Sequence, residues 1–347
     1  MTKGKRRALI IVSILTCVSL TAGSLVYFTF FHRYKGKKIV DEWHETDKFD
    51  INKITTLEKK KDKDFVILNL ADVQIADLDK VKFKKEIHDE ITYLVNTYKP
   101  DLITLTGDQT MSNENRLTIK SLVRWLDSYK IPYAPIFGNH DGGNDYNSGV
   151  ISFEKACEIY SKGKYSLFKR GPTNLGSFGN YAINIKEDGK ILKTLYMMDL
   201  GFNSDLTTEQ QNWFKWTANG IKENNDNVYV ESMLFTHKDL AHRNAYKYYL
   251  NHPESAEGDV YCTDGTNYPR NEEFVEVAKS LGVKDFVSGH LHGNNFTINY
   301  NGARYTFALK TGHAVYFYQD DTIDLNGGTE IRIGSDKTSF YHRLYKR

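Results

Sequence analysis

Five short polar segments, each at the end of an apolar run, constrain this chain more than any other feature. The runs at residues 65–70, 101–106, 133–137, 228–235 and 285–288 are mostly short and rich in branched or aromatic residues. Such runs are typical of buried strands. In α/β proteins, sites form where the carboxyl ends of strands meet polar loops. The pattern therefore predicts an α/β fold with the five segments gathered at one site.

The five segments offer the oxygen and nitrogen ligands that divalent metal ions accept. Two adjacent metals need roughly seven or eight protein ligands, with one carboxylate usually shared. The candidates number seven, with Asp108 as the natural shared carboxylate and His140 left over as a candidate acid: Asp72, Gln74, Asp108, Asn139, His237, His290 and His292. The sequence therefore predicts a centre for two divalent metal ions, with Mn, Fe, Zn and Mg all open.

The order of these segments resembles the calcineurin-like metallophosphoesterase superfamily, whose pattern is D-x-H, G-D, G-N-H-D/E, a lone H and G-H-x-H. The chain matches each element except the first, where Gln74 replaces the histidine. Residues 171–181, 198–199 and 210–213 narrow the resemblance to the single-domain branch near the purple acid phosphatases. The resemblance covers roughly residues 64–320. It implies a four-layer α/β/β/α sandwich: two mixed sheets face to face, helices outside, and metals at one edge.

The same resemblance implies a reaction and a role for each residue. A hydroxide held between the metals attacks phosphorus in line, and the metals neutralise charge on the phosphoryl oxygens. One metal is assigned to Asp72, Gln74, Asp108 and His292, and the other to Asp108, Asn139, His237 and His290. His140 is expected to donate a proton to the leaving oxygen or to clamp the phosphate, and Asp141 to orient the His140 ring.

Two residues depart from the family pattern. A Gln amide oxygen is neutral, harder and weaker than imidazole, so Gln74 tilts its site toward Mn, Mg or Fe over Zn, unless it holds a metal-bound water instead. Purple enzymes carry a Tyr three residues after the shared Asp, and Met111 in that position predicts no tyrosinate–iron colour. Two functions follow: a metal-dependent phosphoesterase, or a non-catalytic surface protein that keeps the fold to bind a ligand or partner.

The N-terminus predicts a membrane anchor. Basic residues 3–7 precede an uncharged run at residues 8–31, and a bilayer core needs about 20 helical residues, whereas a signal-peptide core has about 7–15. We predict a basic tail at 1–7, a transmembrane helix at 8–31, a juxtamembrane linker at 32–63 and a phosphoesterase domain at 64–347. The domain is expected outside the cytoplasm. Secretion stays open, because small residues at 21–23 offer a cleavage site.

Weaker signals complete the prediction. The net charge of +2 indicates no strongly charged partner, and no nucleic-acid-binding motif is found. The substrate is expected to be a small-molecule phosphoester or a lipid or wall phosphate, and the oligomeric state stays open.

Cys157 and Cys262 would be able to pair in an oxidising compartment, and Asn295 begins a glycosylation sequon that matters only in a eukaryotic host. Helices are predicted at 80–98, 207–220 and 271–281, and a hairpin at 297–307.

Overall fold

The computed structural model places two mixed β-sheets at the centre of the fold. It describes residues 3–26, 36–75, 81–112, 115–142, 151–200, 205–262, 272–312 and 325–345. The smaller sheet contains, in spatial order, β13 (Thr338–Leu344), β12 (Gly327–Ile333), β2 (Phe65–Leu70), β3 (Leu102–Thr106) and β4 (Tyr133–Ile136). The larger sheet contains β1 (Thr55–Glu58), β5 (Tyr181–Glu187), β6 (Lys190–Met197), β7 (Ser232–Phe235), β9 (Val283–Ser288), β11 (Ala303–Phe307), β10 (Asn294–Tyr300) and β8 (Tyr261–Cys262).

Helices cover the outer face of each sheet. Beside the smaller sheet lie α2 (Val81–Tyr98), α3 (Asn115–Tyr129) and α4 (Phe153–Tyr160). Beside the larger sheet lie α5 (Thr208–Glu223), α6 (His242–Tyr249) and α7 (Glu272–Ser280). Helix α5 begins at a capping box, in which Thr207 and Gln210 satisfy each other's backbone N–H groups. The predicted four-layer α/β/β/α sandwich is confirmed.

Alternation along the strands produces the layers. In β6, Leu195 and Met197 belong to the core cluster that contains the smaller sheet, whereas Tyr196 belongs to the cluster beneath α5 and α7. Successive side chains of a strand point to opposite faces, so one strand serves both cores. The predicted hairpin is also present, with Tyr300 paired to Ala303 across the turn.

The N-terminal helix α1 (Lys3–Val26) stands apart from both cores. Its segment Gly4–Leu25 is 22 residues long, and its most apolar 18-residue stretch has a mean hydropathy of 2.2 and is not buried. Length and composition allow this segment to cross a membrane, and a signal sequence near an N-terminus has the same character. The end of the predicted span, residues 27–31, lies outside the described residues.

The predicted linker at residues 32–63 is wrong over its described part. Strand β1 forms an edge of the larger sheet, paired in parallel with β5. Trp43 is only 8% exposed, and its ring and that of Phe49 both contact Trp216 of α5. The folded unit therefore begins well before residue 64, because residues 36–58, hereafter the strap, bury aromatic side chains against it. Their mixed charges and brief apolar stretches gave no periodic signal.

The structure also bears on two features that the sequence left open. Cys157, buried in α4, and Cys262, in β8, are not joined by a disulfide. Asn295 is only 5% exposed and Thr297 is fully buried in β10, so the folded chain does not present this sequon to solvent.

Candidate metal centre

Three neighbouring strands of the smaller sheet end at the candidate centre. Strands β2, β3 and β4 are parallel, so Asp72, Asp108 and Asn139 follow them at one edge of the sheet. The loops are tied together: the Asp72 N–H donates to the Gly107 carbonyl at 3.2 Å, and the Gln74 N–H donates to the Asp108 carbonyl at 2.9 Å. The sequence pattern therefore brings these predicted ligands together as expected.

The larger sheet supplies the remaining ligands from a second pair of parallel neighbours. His237 follows β7, and His290 and His292 follow β9. The His290 N–H donates to Asp72 Oδ2 at 2.9 Å, which joins the two sheets at the centre.

Four of the predicted ligands have left-handed backbone conformations. The φ angles are 51° at Asp72, 45° at Gln74, 49° at Asp108 and 75° at His290. Such conformations cost about 1–3 kcal/mol each in residues other than glycine and persist where the surroundings fix them. Their concentration in one place indicates a functional geometry rather than a packing accident.

His237 has the best-defined surroundings of the seven ligands. Its Nδ1 donates to the Thr106 carbonyl at 2.9 Å, so Nε2 faces the centre. Asn139 Oδ1 lies 3.1 Å from that nitrogen, His290 Nδ1 lies 3.2 Å away, and Asp108 Oδ2 lies 3.3 Å away. Two acceptor oxygens against Nε2 require a positive charge there, either a proton or a metal ion. We call Asp108, Asn139, His237 and His290 the nitrogen-rich half of the centre.

The pKa values agree with that requirement. Burial lowers the pKa of His237, but the Asp108 carboxylate more than offsets this and raises that pKa to about 9. Burial, followed by the neighbouring His237, lowers the pKa of His290 to about 3, so its ring is neutral and free to bind a metal. Burial would raise the pKa of Asp108, yet His237 and His140 hold it below its ordinary value.

Asp72, Gln74 and His292 form a second group, the oxygen-rich half of the centre. His292 Nε2 lies 3.2 Å from Asp72 Oδ1 and 3.3 Å from the amide nitrogen of Gln74. Gln74 is 1% exposed, and its Oε1 makes no hydrogen bond to any described residue. A buried acceptor without a partner costs about 1–3 kcal/mol. A bound cation would remove that cost, so these residues fit the metal that the sequence predicts.

Two glycines leave room for the carboxylates. A Cβ atom added at Gly138 would approach Asp108 Oδ1 to under 3.0 Å, and one added at Gly289 would approach Asp72 Oδ2 equally closely. Real Cβ atoms essentially never show such contacts, so any larger residue would displace the carboxylate. Each of these two carboxylates thus depends on a neighbouring glycine.

His140 lies at the rim of the centre. Its N–H donates to Asp108 Oδ1 at 2.8 Å, and its ring Nε2 lies 3.8 Å from Asp108 Oδ2. The side chain is 21% exposed, against 2% for Asp108, so solvent or a substrate can reach the ring. This position is compatible with the predicted role as a proton donor.

Asp141 differs from its prediction. Its two oxygens accept the N–H groups of Gly138, at 2.8 Å, and Thr110, at 3.0 Å. The carboxylate therefore holds the loop that carries His140 instead of orienting the His140 ring. Tight turns offer backbone N–H groups that compete with the imidazole for the carboxylate. The sequence does not show which of the two the carboxylate will bind.

Asn115 is a supporting residue that the sequence did not reveal. It is fully buried at the start of α3, where Nδ2 donates to the Asp141 carbonyl at 3.3 Å and Oδ1 accepts the Ile151 N–H at 3.1 Å. Asparagine is common at helix starts for local reasons, so its position gave no sign of these long-range bonds.

The match to a family model agrees with this geometry. The family model of calcineurin-like phosphoesterases matches residues 65–294. No curated protein sequence matches the chain. Solved structures similar to it include a dimetal phosphatase from Danio rerio (12% identity, 82% of this chain and 97% of that chain, TM-score 0.48) and a purple acid phosphatase from yellow lupin, Lupinus luteus (11% identity, 81% and 52%, TM-score 0.43). A third is a Plasmodium protein described as the anchor in the inner membrane complex (10% identity, 82% and 90%, TM-score 0.47).

Proposed function

This chain belongs to the calcineurin-like phosphoesterase family, and from that premise we propose that it hydrolyses phosphoesters at a centre for two divalent metal ions. The observation that carries the proposal is the crowding of ligand atoms around His237 Nε2, where two oxygens and a second imidazole lie within 3.3 Å. When bound, the two ions supply an activated water and neutralise charge on the phosphoryl oxygens.

The ligand set divides between the two halves of the centre, with Asp108 shared. The nitrogen-rich half would hold one ion through Asp108, Asn139, His237 and His290, and the oxygen-rich half would hold the other through Asp72, Gln74, His292 and Asp108. All these ligands carry nitrogen or oxygen, which suits Mn, Fe, Zn and Mg. With Gln74 in place of an imidazole, the oxygen-rich half favours the harder ions Mn, Mg and Fe over Zn.

The chain's own residues donate the proton to the leaving group and keep the catalytic side chains in position. His140, partly exposed at the rim, gives its proton to the leaving oxygen of the ester. The Thr106 carbonyl holds the His237 ring in one tautomer through the 2.9 Å bond at Nδ1. Asp141 keeps the His140 loop in place through Gly138 and Thr110.

We propose that α1 anchors the enzyme in a membrane with the catalytic domain outside the cytoplasm. The uncharged apolar run from residue 8 supports the anchor. Four basic residues stand on each side of this run, so the orientation is supported by the short basic tail at residues 3–7, which usually stays inside when it precedes a first span. The substrate would then be an extracytoplasmic phosphoester, either a small molecule or a lipid or wall phosphate.

The test is hydrolysis by the full-length chain in detergent. The protein is stripped with a chelator, reloaded separately with Mn, Mg, Zn or ferrous ion, and assayed with para-nitrophenyl phosphate and its bis ester. We expect metal-dependent turnover that Asp108→Asn lowers by more than about 100-fold, the upper range for residues that only support a ligand. Asp188→Asn is the matched control, because Asp188 has the same φ of 49° as Asp108 but lies exposed in the β5–β6 turn.

A non-catalytic binding protein is the second candidate, and Gln74 is the observation that favours it. A folded, metal-loaded chain that cleaves neither ester, nor any nucleotide phosphoester, would support this second function and contradict the first. Turnover that His140→Ala abolishes would exclude it.

A further inference from the structure

The strap joins the fold on helix α4, close to where the chain leaves the N-terminal helix. The Gly36 N–H donates to Ser152 Oγ at 3.3 Å, and the Lys37 N–H donates to the Glu158 carboxylate. Helix α1 ends at Val26, and about ten residues can span at most about 36 Å when fully extended. Helix α4 therefore lies within that distance of the end of α1, whatever path the intervening residues take.

The surface next to this point is basic. On α3, Arg116, Lys120 and Arg124 follow one another at four-residue spacing and so share one side of the helix. Lys155 of α4 and Lys162 after it extend the same surface, because α3 packs against α4. We call these five residues the basic face. Lys120, Arg124 and Lys162 are exposed.

Like charges at this spacing destabilise a helix, so the arrangement is unfavourable on its own. Helix α2 shows the usual solution, with Lys85 paired to Asp89 four residues later at 2.6 Å. Partial burial and the other cations of the basic face lower the pKa of Lys120, which agrees with their mutual repulsion. A partner of negative charge would relieve it.

The acids on these two helices neutralise the basic face only in part. Asp127 Oδ1 accepts the Tyr133 hydroxyl at 3.2 Å and the Tyr165 N–H at 3.1 Å. Glu158 binds Lys155 and the strap. Glu154, half-buried in the first turn of α4, is the remaining acid on these helices. Lys120, Arg124 and Lys162 form no ion pair with any described residue, so these three cations keep the surface positive.

We propose that the basic face rests on anionic lipid headgroups of the membrane that holds α1. Cations near such a surface are attracted within about one Debye length, which is about 8 Å at physiological salt. The tether keeps the face within a few tens of Å of the membrane and so raises its effective concentration there, which means that contact needs no high affinity of its own. This inference depends on the proposed membrane anchoring and is independent of catalysis.

Footprinting of lysine amines on the full-length chain tests the contact without any substitution. The chain is reconstituted in vesicles of phosphatidylcholine alone or with phosphatidylglycerol added, and is treated with a membrane-impermeant acetylating reagent. Mass spectrometry then gives the modification rate of each lysine. We expect Lys120 and Lys162 to react about fivefold more slowly in the anionic vesicles, a factor typical of one surface-bound cation. Lys247 and Lys284, exposed on α6 and β9, should react equally in both.

High salt and charge-reversal variants provide two further tests of the lipid contact. Salt at about 1 M, where the Debye length is about 3 Å, should remove the protection. Arg124→Glu should weaken the protection of Lys162, and Lys247→Glu should leave it unchanged. Equal Lys120 and Lys162 rates in the two vesicle types would overturn the proposal. So would protection by a soluble polyanion, such as nucleic acid, without protection by anionic vesicles.

Alkaline carbonate extraction separates this proposal from the one on which it rests. If carbonate releases the chain, membrane anchoring fails and the lipid contact fails with it. If the chain stays in the membrane and Lys120 reacts equally in both vesicles, only the lipid contact is wrong. Neither result bears on hydrolysis, which the soluble esters test directly.

Discussion

The two halves of the candidate metal centre differ in how firmly the protein itself holds them. In the nitrogen-rich half, the Thr106 carbonyl fixes the His237 ring and the His140 N–H fixes Asp108. In the oxygen-rich half, Gln74 leaves a buried Oε1 without a hydrogen bond among the described residues, and His292 is the one imidazole assigned there. Backbone N–H groups hold the shared carboxylate Asp108 and the Asp72 carboxylate alike. The difference lies in the other ligands: the His237 ring is fixed by the protein, whereas the Gln74 oxygen gains a partner only from a bound metal.

Removing one histidine from each half should give the largest effects and separate the halves. We expect the ion in the nitrogen-rich half to bind more tightly than the other. His237→Ala should lower the affinity for this ion by more than about 100-fold, because it removes a ligand and not a supporting partner. His292→Ala should weaken binding of the ion in the oxygen-rich half and change the affinity for the other ion by no more than a few-fold. Competition with a chromogenic chelator measures both affinities. Loss of both ions in His292→Ala would contradict two unequal halves.

Adding one methyl group to the glycine beside Asp108 or beside Asp72 should have an intermediate effect on metal affinity. In Gly138→Ala the added methyl group would clash with both the carboxylate and the backbone nitrogen of Asp108, and in Gly289→Ala it would clash with the Asp72 carboxylate. We expect each change to lower metal affinity by about 10–100-fold, the range for residues that position a ligand, in its own half. The control is Gly334→Ala in the β12–β13 turn, where the added atom stays 3.1 Å from the nearest atom, the Lys337 carbonyl oxygen. Unchanged affinity in Gly138→Ala would show that Asp108 moves without consequence.

Replacing Gln74 with the histidine of the family pattern should have the smallest effect. Gln74→His is expected to tighten zinc binding in the oxygen-rich half by about tenfold, because imidazole is a softer and stronger ligand than an amide. Zinc titration of the full-length chain by calorimetry measures the change. No change, or weaker binding, would favour the alternative in which Gln74 holds a water rather than the metal.

Sequence reasoning was strongest where the backbone topology does the assembling. Asp72, Asp108 and Asn139 could be brought together from the sequence because parallel strands end at one sheet edge, and apolar runs identify such strands. A lone histidine in a loop does not by itself indicate a metal ligand. The position of His237 directly after a strand is what predicts its place in the centre. The fold class and the convergence of the ligands follow from these two rules.

Sequence reasoning failed where the outcome depends on long-range contacts of short segments. The strap joins the larger sheet through a four-residue strand and buried aromatic residues such as Trp43, and no periodic pattern marks so short a piece. Asp141 binds two backbone N–H groups whose directions only the folded loop defines. The free Oε1 of Gln74 likewise depends on the packing around it.

The most direct measurement of the central claim is the number of metal ions bound to each full-length chain. The purified protein is equilibrated with Mn or Zn, freed of loose metal and analysed by mass spectrometry for elements, beside Asp108→Asn and the Asp188→Asn control. Two ions per chain, falling to one or fewer only in Asp108→Asn, is the predicted result. A folded wild-type chain that binds no more than one ion, or an Asp108→Asn chain that keeps two, would contradict a dinuclear centre that shares Asp108.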